Sequence, residues 1–259
     1  MATDGFINTG HGRIHYLEQG SGPSVILLHS NGGSAYEYEE MFDQLAKTHR
    51  VLAWDMPGHG DSEPITLHYS VEMYADAVVA FMDALDIESA SVLGSSIGGA
   101  ICVAMGANHP DRIDVLFPVE TPTRSNETWT NNWPIIEKNY CNPVQSFEQV
   151  EPRFRHVSTH HMDRWNVDRQ KVGARTMLDV MWALREYDVF GDIPKIKTET
   201  CVIYGDKGPT IAGIDNFKSG LPKAPIIVMD NCGHFPMNDA PAELVGIVIQ
   251  HTAALAKAS

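Results

Sequence analysis

Residues 90–110 read ASVLGSSIGGAICVAMGANHP. Ala90–Gly94 is a short apolar run closed by glycine, the pattern of a strand covered on both faces. The residues from Ile97 onward suit a helix until His109-Pro110. Between the two lies Gly94-Ser95-Ser96-Ile97-Gly98, a G-x-S-x-G spacing with a mechanical reason. A serine in a tight strand-to-helix turn needs small residues two before and two after it. Gly94 and Gly98 meet that demand, and Gly99 and Ala100 add room. The turn exposes the Ser96 hydroxyl and aims the first helix N–H groups at whatever binds there. Glycine-rich strand-to-helix turns also open nucleotide-binding folds, so the catalytic reading rests on the strand before and the helix after.

Similar buried runs flank this unit. Ser24–His29 (SVILLH), Val51–Asp55, Ile113–Val119, Cys201–Tyr204 and Ile226–Met229 all read as strands, and Arg13–Glu18 alternates as an earlier one. Val71, Ala75, Val78, Met82 and Leu85 form one helical stripe, with Ser70 as its N-cap. Asp239 to about Ala256 reads as a closing helix. Strands alternating with helices predict an α/β fold with a mostly parallel sheet covered on both faces.

The alternation breaks at residues 121–190. This segment shows helical patches, no clear strand and four of the five tryptophans. Residues 1–120 carry 17 acidic and 4 basic side chains, whereas 121–190 carry 9 of each. We therefore expect a core of residues 1–120 and 191–259 with a helical lid at 121–190.

The formal charge of −14 argues against nucleic acid and against an acidic membrane surface. No leader-like apolar segment and no spanning run of about 18 apolar residues is visible. Four scattered cysteines with no C-x-x-C fit free thiols in a reducing cytoplasm. A small-molecule substrate is expected, with no cofactor and no metal; a homodimer is left open.

Several stretches resemble the α/β-hydrolase superfamily along nearly the whole chain. LLHSNGG resembles its oxyanion loop, DMPGHGDS the loop after the fourth strand, GSSIGG the nucleophile elbow, and NCGHFPMNDAP the histidine loop. The resemblance implies a lidded hydrolase fold with Ser96 as nucleophile and His234 as general base. Of the twelve histidines, His234 follows the strand IIVMD after a short turn, which places it at the strand ends where the elbow opens. His29 is expected to be structural, His59 a loop contact, and the adjacent His160 and His161 face apart.

A serine–histidine pair needs a carboxylate behind the imidazole. The family commonly places it three residues after Gly205, where this chain has Gly208. Asp206 is in the right loop but two positions early. Glu120 closes the buried run IDVLFPVE and is the favoured acid; its alternative role is a pair with Arg124. For the oxyanion, the expected donors are the backbone N–H groups of Ile97 and Asn31, with Ser30 or Gly32 as register alternatives.

A serine nucleophile implies acyl transfer to water through an acyl-enzyme. FPVETPT, DMPG, LDALDI and GHFP resemble segments of the fungal zearalenone lactone hydrolases, which use a Ser-His-Glu triad. That resemblance implies a carboxylic ester, and within that class a lactone with an apolar or aromatic body. Pockets are mostly apolar, so the tryptophans of the lid suit such a body; Trp165 and Trp182 are singled out as substrate contacts, with lid core as their alternative role. The rivals are a carbon–carbon bond hydrolase of a ring-cleavage diketone and a non-catalytic small-molecule receptor.

Overall fold

The computed structural model describes residues 2–253 and 255. Its strands are β1 (Thr3–Thr9), β2 (Gly12–Gln19), β3 (Ser24–Leu28), β4 (Arg50–Trp54), β5 (Ala90–Ser95), β6 (Ile113–Val119), β7 (Glu199–Thr200), β8 (Val202–Gly205) and β9 (Ile226–Met229). They form one sheet in the order β1-β2-β4-β3-β5-β6-β8-β9, with β7 beside β6. β1–β2 and β2–β4 are antiparallel, and every pairing from β4 to β9 is parallel.

The α-helices are α1 (Glu39–Leu45), α2 (Val71–Ala84), α3 (Ile97–Asn108), α4 (Asn126–Tyr140), α5 (Phe147–Val150), α6 (Thr159–Glu186), α7 (Val189–Asp192), α8 (Ile214–Gly220), α9 (Pro236–Asp239) and α10 (Pro241–Thr252). Strand periodicity divides the apolar side chains between two cores. Ile26, Leu28, Leu52 and Trp54 join α2 and α3 on one face. Val25, Leu27, Val51 and Ala53 join α1 and α10 on the other. A sheet buried on both sides is why its central strands read as continuous apolar runs.

The differences from the sequence reading have local causes. β1 escapes notice because TDGFINT is polar, half-exposed and paired only at the sheet edge. The run at Cys201 is split, since Cys201 N–H bonds Leu116 O (2.8 Å) between the short β7 and β8. The closing helix starts at Pro241, after the separate turn α9, and is followed to Thr252; the expected end near Ala256 lies outside the described residues.

Between β6 and β7 the described chain is helical and holds no strand. α6 is broken at Gly173, whose φ of 77° and ψ of 157° suit only glycine. Its two halves rest on the loops after β3 and β4. Ser34 Oγ donates to Asp168 (2.7 Å), Asn31 Nδ2 donates to Met177 O (2.8 Å), and Lys171 pairs with Asp61 (2.7 Å). Among the described residues, no helix is long and apolar enough to cross a membrane.

Ser70 caps α2 as its position predicts, accepting a bond from Met73 N–H at 3.2 Å. Ser70→Ala is expected to cost about 1 kcal/mol, read as a lower urea midpoint at unchanged m-value.

Candidate active site

The elbow is held by absent side chains. A Cβ on Gly94 would lie 2.1 Å from Gly98 O, and one on Gly98 would lie 2.2 Å from Leu28 O. Helix α3 thus starts in backbone contact with β3 and β5, and only glycine permits it. Ser96, between them, is forced to φ 56° and ψ −110°, a strained conformation for a residue with a side chain. Its N–H bonds Val119 O (2.9 Å), which ties the turn to β6. Ile97 opens α3, so its N–H has no partner within the helix.

One strand along, Glu120 follows β6 with φ 47° and is fully buried. Its carboxylate is not orphaned. Oε1 accepts from Gly205 N–H (2.8 Å), and Oε2 accepts from the Thr210 hydroxyl (2.6 Å). His234 Nδ1 lies 3.1 Å from the same Oε2. A Cβ on Gly208 would lie 2.0 Å from Glu120 Oε1 and 2.4 Å from its Cδ. Glu120 therefore fills the space a side chain at 208 would need. The alternative Glu120–Arg124 pair is not made; the Arg124 guanidinium sits 4.9 Å over the Trp129 ring.

Asp206 has other work. Its carboxylate accepts from Cys232 N–H (3.1 Å) and pairs with Lys207 (2.8 Å). The Lys207 bond, helped by Cys232, holds its pKa below the usual carboxylate value. Asp206 thus anchors the turn that carries His234. His234 N–H in turn bonds Arg153 O (2.7 Å) from the helical segment.

The expected oxyanion loop is a turn closed by Gly33 N–H on Ser30 O (3.0 Å), with Gly32 at φ 84°. Ser30 N–H is taken by the Glu37 carboxylate (3.1 Å), which rules out Ser30 as a donor. The Asn31 side chain turns away, to Met177 O and His59. Glu37 was not legible as a site residue, because its contact with Ser30 depends on the 3-10 turn Ala35–Tyr38. Burial of its carboxylate end pushes Glu37 up to about 8, although the residue keeps a partly exposed rim. His29 is structural: Nδ1 donates to Ser30 O (2.7 Å), and Nε2 accepts from Met56 N–H (2.9 Å). His59 is buried beside it, and that burial pushes it down to about 3.

Ser96 and His234 line one cavity of about 380 Å³. Trp129, Ile136, Met181 and Leu184 give it an apolar wall under the helical segment. The expectation for the other tryptophans is corrected here. Trp165 packs on Phe154 and Phe235, and half-exposed Trp182 packs on Trp133; neither lines this cavity. Both sit on α6 faces turned to other neighbours, whereas Trp129 of α4 is 2% exposed and faces the cavity.

Two stability predictions follow from this geometry. Gly208→Ala should destabilise strongly alone but far less in a Glu120→Gly background. The coupling in a denaturant double-mutant cycle should exceed about 1 kcal/mol. Glu37, with its folded-state pKa raised, makes the native form bind more protons than the unfolded chain between its ordinary pKa and about 8. Stability should therefore fall as pH rises through that window, and Glu37→Gln should flatten the fall in melting curves taken from pH 5 to 9.

A family model described as alpha/beta hydrolase fold matches residues 23–241. The chain is 34% identical over 105 residues to 2-hydroxymuconate semialdehyde hydrolase of Pseudomonas sp. (strain CF600), covering 39% of this chain and 37% of that one. It is 34% identical over 113 residues to bifunctional epoxide hydrolase 2 of Rattus norvegicus, covering 42% and 20%. The chain spans about a third or less of the length of these curated relatives. The enol-lactonase from Burkholderia xenovorans LB400 superposes with a TM-score of 0.81 over 96% of this chain and all of that one, at 22% identity, a likeness of fold alone. With the sheet order, the glycine-held elbow and a match over residues 23–241, the chain belongs to the alpha/beta hydrolase family.

Proposed function

We propose that the protein is a serine hydrolase of carboxylic esters, and specifically of a lactone with an apolar or aromatic body. The observation that carries this reading is the buried Glu120 carboxylate 3.1 Å behind His234 Nδ1, with Ser96 and His234 on one cavity wall. Glu120 fixes the tautomer with the proton on Nδ1, leaving Nε2 free to accept the Ser96 proton.

The Ser96 oxygen then attacks the ester carbonyl, and the charge moves onto the carbonyl oxygen. The N–H groups of Ile97 and Asn31 are the proposed donors to that oxyanion, a contribution of about 3 kcal/mol per donor. Collapse breaks the C–O bond, and the imidazolium returns its proton to the leaving alkoxide. In a lactone that alcohol stays tethered to the acyl group. Water, deprotonated by His234, next attacks the acyl-enzyme and frees Ser96 and a carboxylic acid. Lactone opening is supported by the likeness of FPVETPT and its companions to the zearalenone lactone hydrolases and by the aromatic and aliphatic wall. Residues 121–190 act in this reading as the lid that gives the substrate its apolar cover.

A second reading is favoured by the 34% identity to the 2-hydroxymuconate semialdehyde hydrolase: cleavage of a carbon–carbon bond in a ring-cleavage diketone. Turnover of a vinylogous diketone without turnover of p-nitrophenyl esters would select it. A non-catalytic receptor would show neither.

A fluorophosphonate probe should label the wild type and leave Ser96→Ala unlabelled. Assayed on a panel of lactones and aryl esters, Glu120→Gln should lower kcat by about three orders of magnitude. Asp206→Asn should lower it less than about tenfold, since its carboxylate only braces the His234 turn. The reverse order would reassign the acid.

A further inference from the structure

The charge inside the Ser96 cavity opposes the charge of the chain. The protein carries a formal −14, yet the ionised side chains lining this cavity are two arginines, Arg124 and Arg153, with no aspartate or glutamate among the lining residues. Neither guanidinium has a carboxylate within ion-pair distance among the described residues. Arg124 lies over Trp129 and Arg153 over Trp165, at 4.9 and 5.2 Å from the ring centroids.

Behind them stands Arg169, 1% exposed and also without a carboxylate. Its Nη2 donates to Asn139 O and Asn142 O, while Nε and Nη1 have no partner. It sits 5.4 Å from the Tyr140 ring and 5.3 Å from Trp165, so Trp165 has a guanidinium from Arg153 and another from Arg169 around it. Burial and the neighbouring Arg153 charge push Arg169 down to about 10. Tyr140, like Asn139, lines the cavity.

Desolvated cations without counter-ions are costly unless something supplies the missing negative charge. Ring stacking returns part of that cost but leaves the in-plane N–H donors of the guanidinium unused. Those donors match a carboxylate, in a concave site where field lines are focused. Arg153 also contributes the backbone carbonyl that holds His234 N–H, which puts its backbone beside the reacting end of the cavity.

We propose that the substrate hydrolysed at Ser96 carries a carboxylate of its own, bound by Arg124 and Arg153 with Arg169 as the buried charge behind them. This rests on the hydrolase reading and narrows it from neutral apolar esters to anionic ones. The apolar wall then holds the substrate body, and the arginines fix which end enters.

The test compares 4-nitrophenyl hydrogen glutarate with its methyl-capped ester, methyl 4-nitrophenyl glutarate. The free carboxylate should be preferred by about tenfold or more in kcat/KM. The preference should shrink with added salt and largely vanish in Arg124→Met and Arg153→Met, and Arg124→Lys should restore part of it. An unchanged preference in both Met variants, with only a lowered melting temperature, would make the arginines lid cement and overturn the proposal. So would a wild type that favours the capped ester.

Should neither ester turn over, glutarate binding to the Ser96→Ala protein decides, followed by tryptophan fluorescence. Binding that is lost in Ser96→Ala/Arg124→Met keeps the anion site and removes the ester-hydrolase reading. No binding removes both.

Discussion

Everything at the site depends on how closely one helix approaches the sheet. Helix α3 begins against the backbone of Leu28 and Gly94, with Gly99 against Thr121 Oγ1, where a Cβ would lie 2.1 Å away. These contacts bring the ends of β3, β5 and β6 to one level. The turn after β3 holds Asn31, the turn after β5 holds Ser96, and the residue after β6 is Glu120. Two of these three residues, Ser96 and Glu120, have positive φ. Each such conformation costs about 1–3 kcal/mol, offset by two cores that bury both faces of the sheet. The strain sits where three strand ends must present polar groups to a single cavity.

The carboxylate behind His234 shows a steric choice between two sources for the same group. Gly208 and Glu120 cannot both have side chains in one volume. A glutamate from the neighbouring strand end reaches that volume because it is one methylene longer than an aspartate. Once there, it accepts from the Gly205 N–H, the Thr210 hydroxyl and His234, so a fully buried carboxylate has three partners. Asp206 then serves the backbone of the histidine turn, through Cys232 N–H. The strand ends thus set a carboxylate from the end of β6 behind the imidazole, in the volume a side chain at 208 would need.

The parts of this arrangement that were legible in the sequence are those fixed by local sterics or by a missing side chain. G-x-S-x-G announces a turn that only small residues permit, and the glycine at 208 points to a carboxylate elsewhere. The apolar runs of β3 to β6 announce strands covered on both faces. β1 was illegible because an edge strand of polar residues carries no apolar period. The cavity wall was illegible for a different reason. Four tryptophans in a helical segment say that apolar surface is buried, but which one faces Ser96 depends on how α4 and α6 are rotated and on the break at Gly173. Trp129 won that place through packing between helices that no single period encodes. Glu37 likewise joins the site only through a contact with Ser30, seven residues away.

In the proposed hydrolysis the charge layout separates capture from release. Over the whole chain 33 carboxylates stand against 19 cations, but exposed charges are screened beyond about 8 Å at physiological ionic strength. A small anion near the mouth therefore feels little of the surface. Under the helices the guanidiniums of Arg124 and Arg153 are half-buried and that of Arg169 is buried, so they act with less screening. Hydrolysis of an ester that already bears a carboxylate yields a second one, so the product holds more charge than the substrate. In the proposed reaction its new carboxylate forms beside Ser96, close to the buried carboxylate of Glu120 across His234. Repulsion there weakens the product at the reacting end while the arginines still hold the other. In that proposed reaction the same negative group that backs His234 thereby disfavours retention of the acid it helps to make.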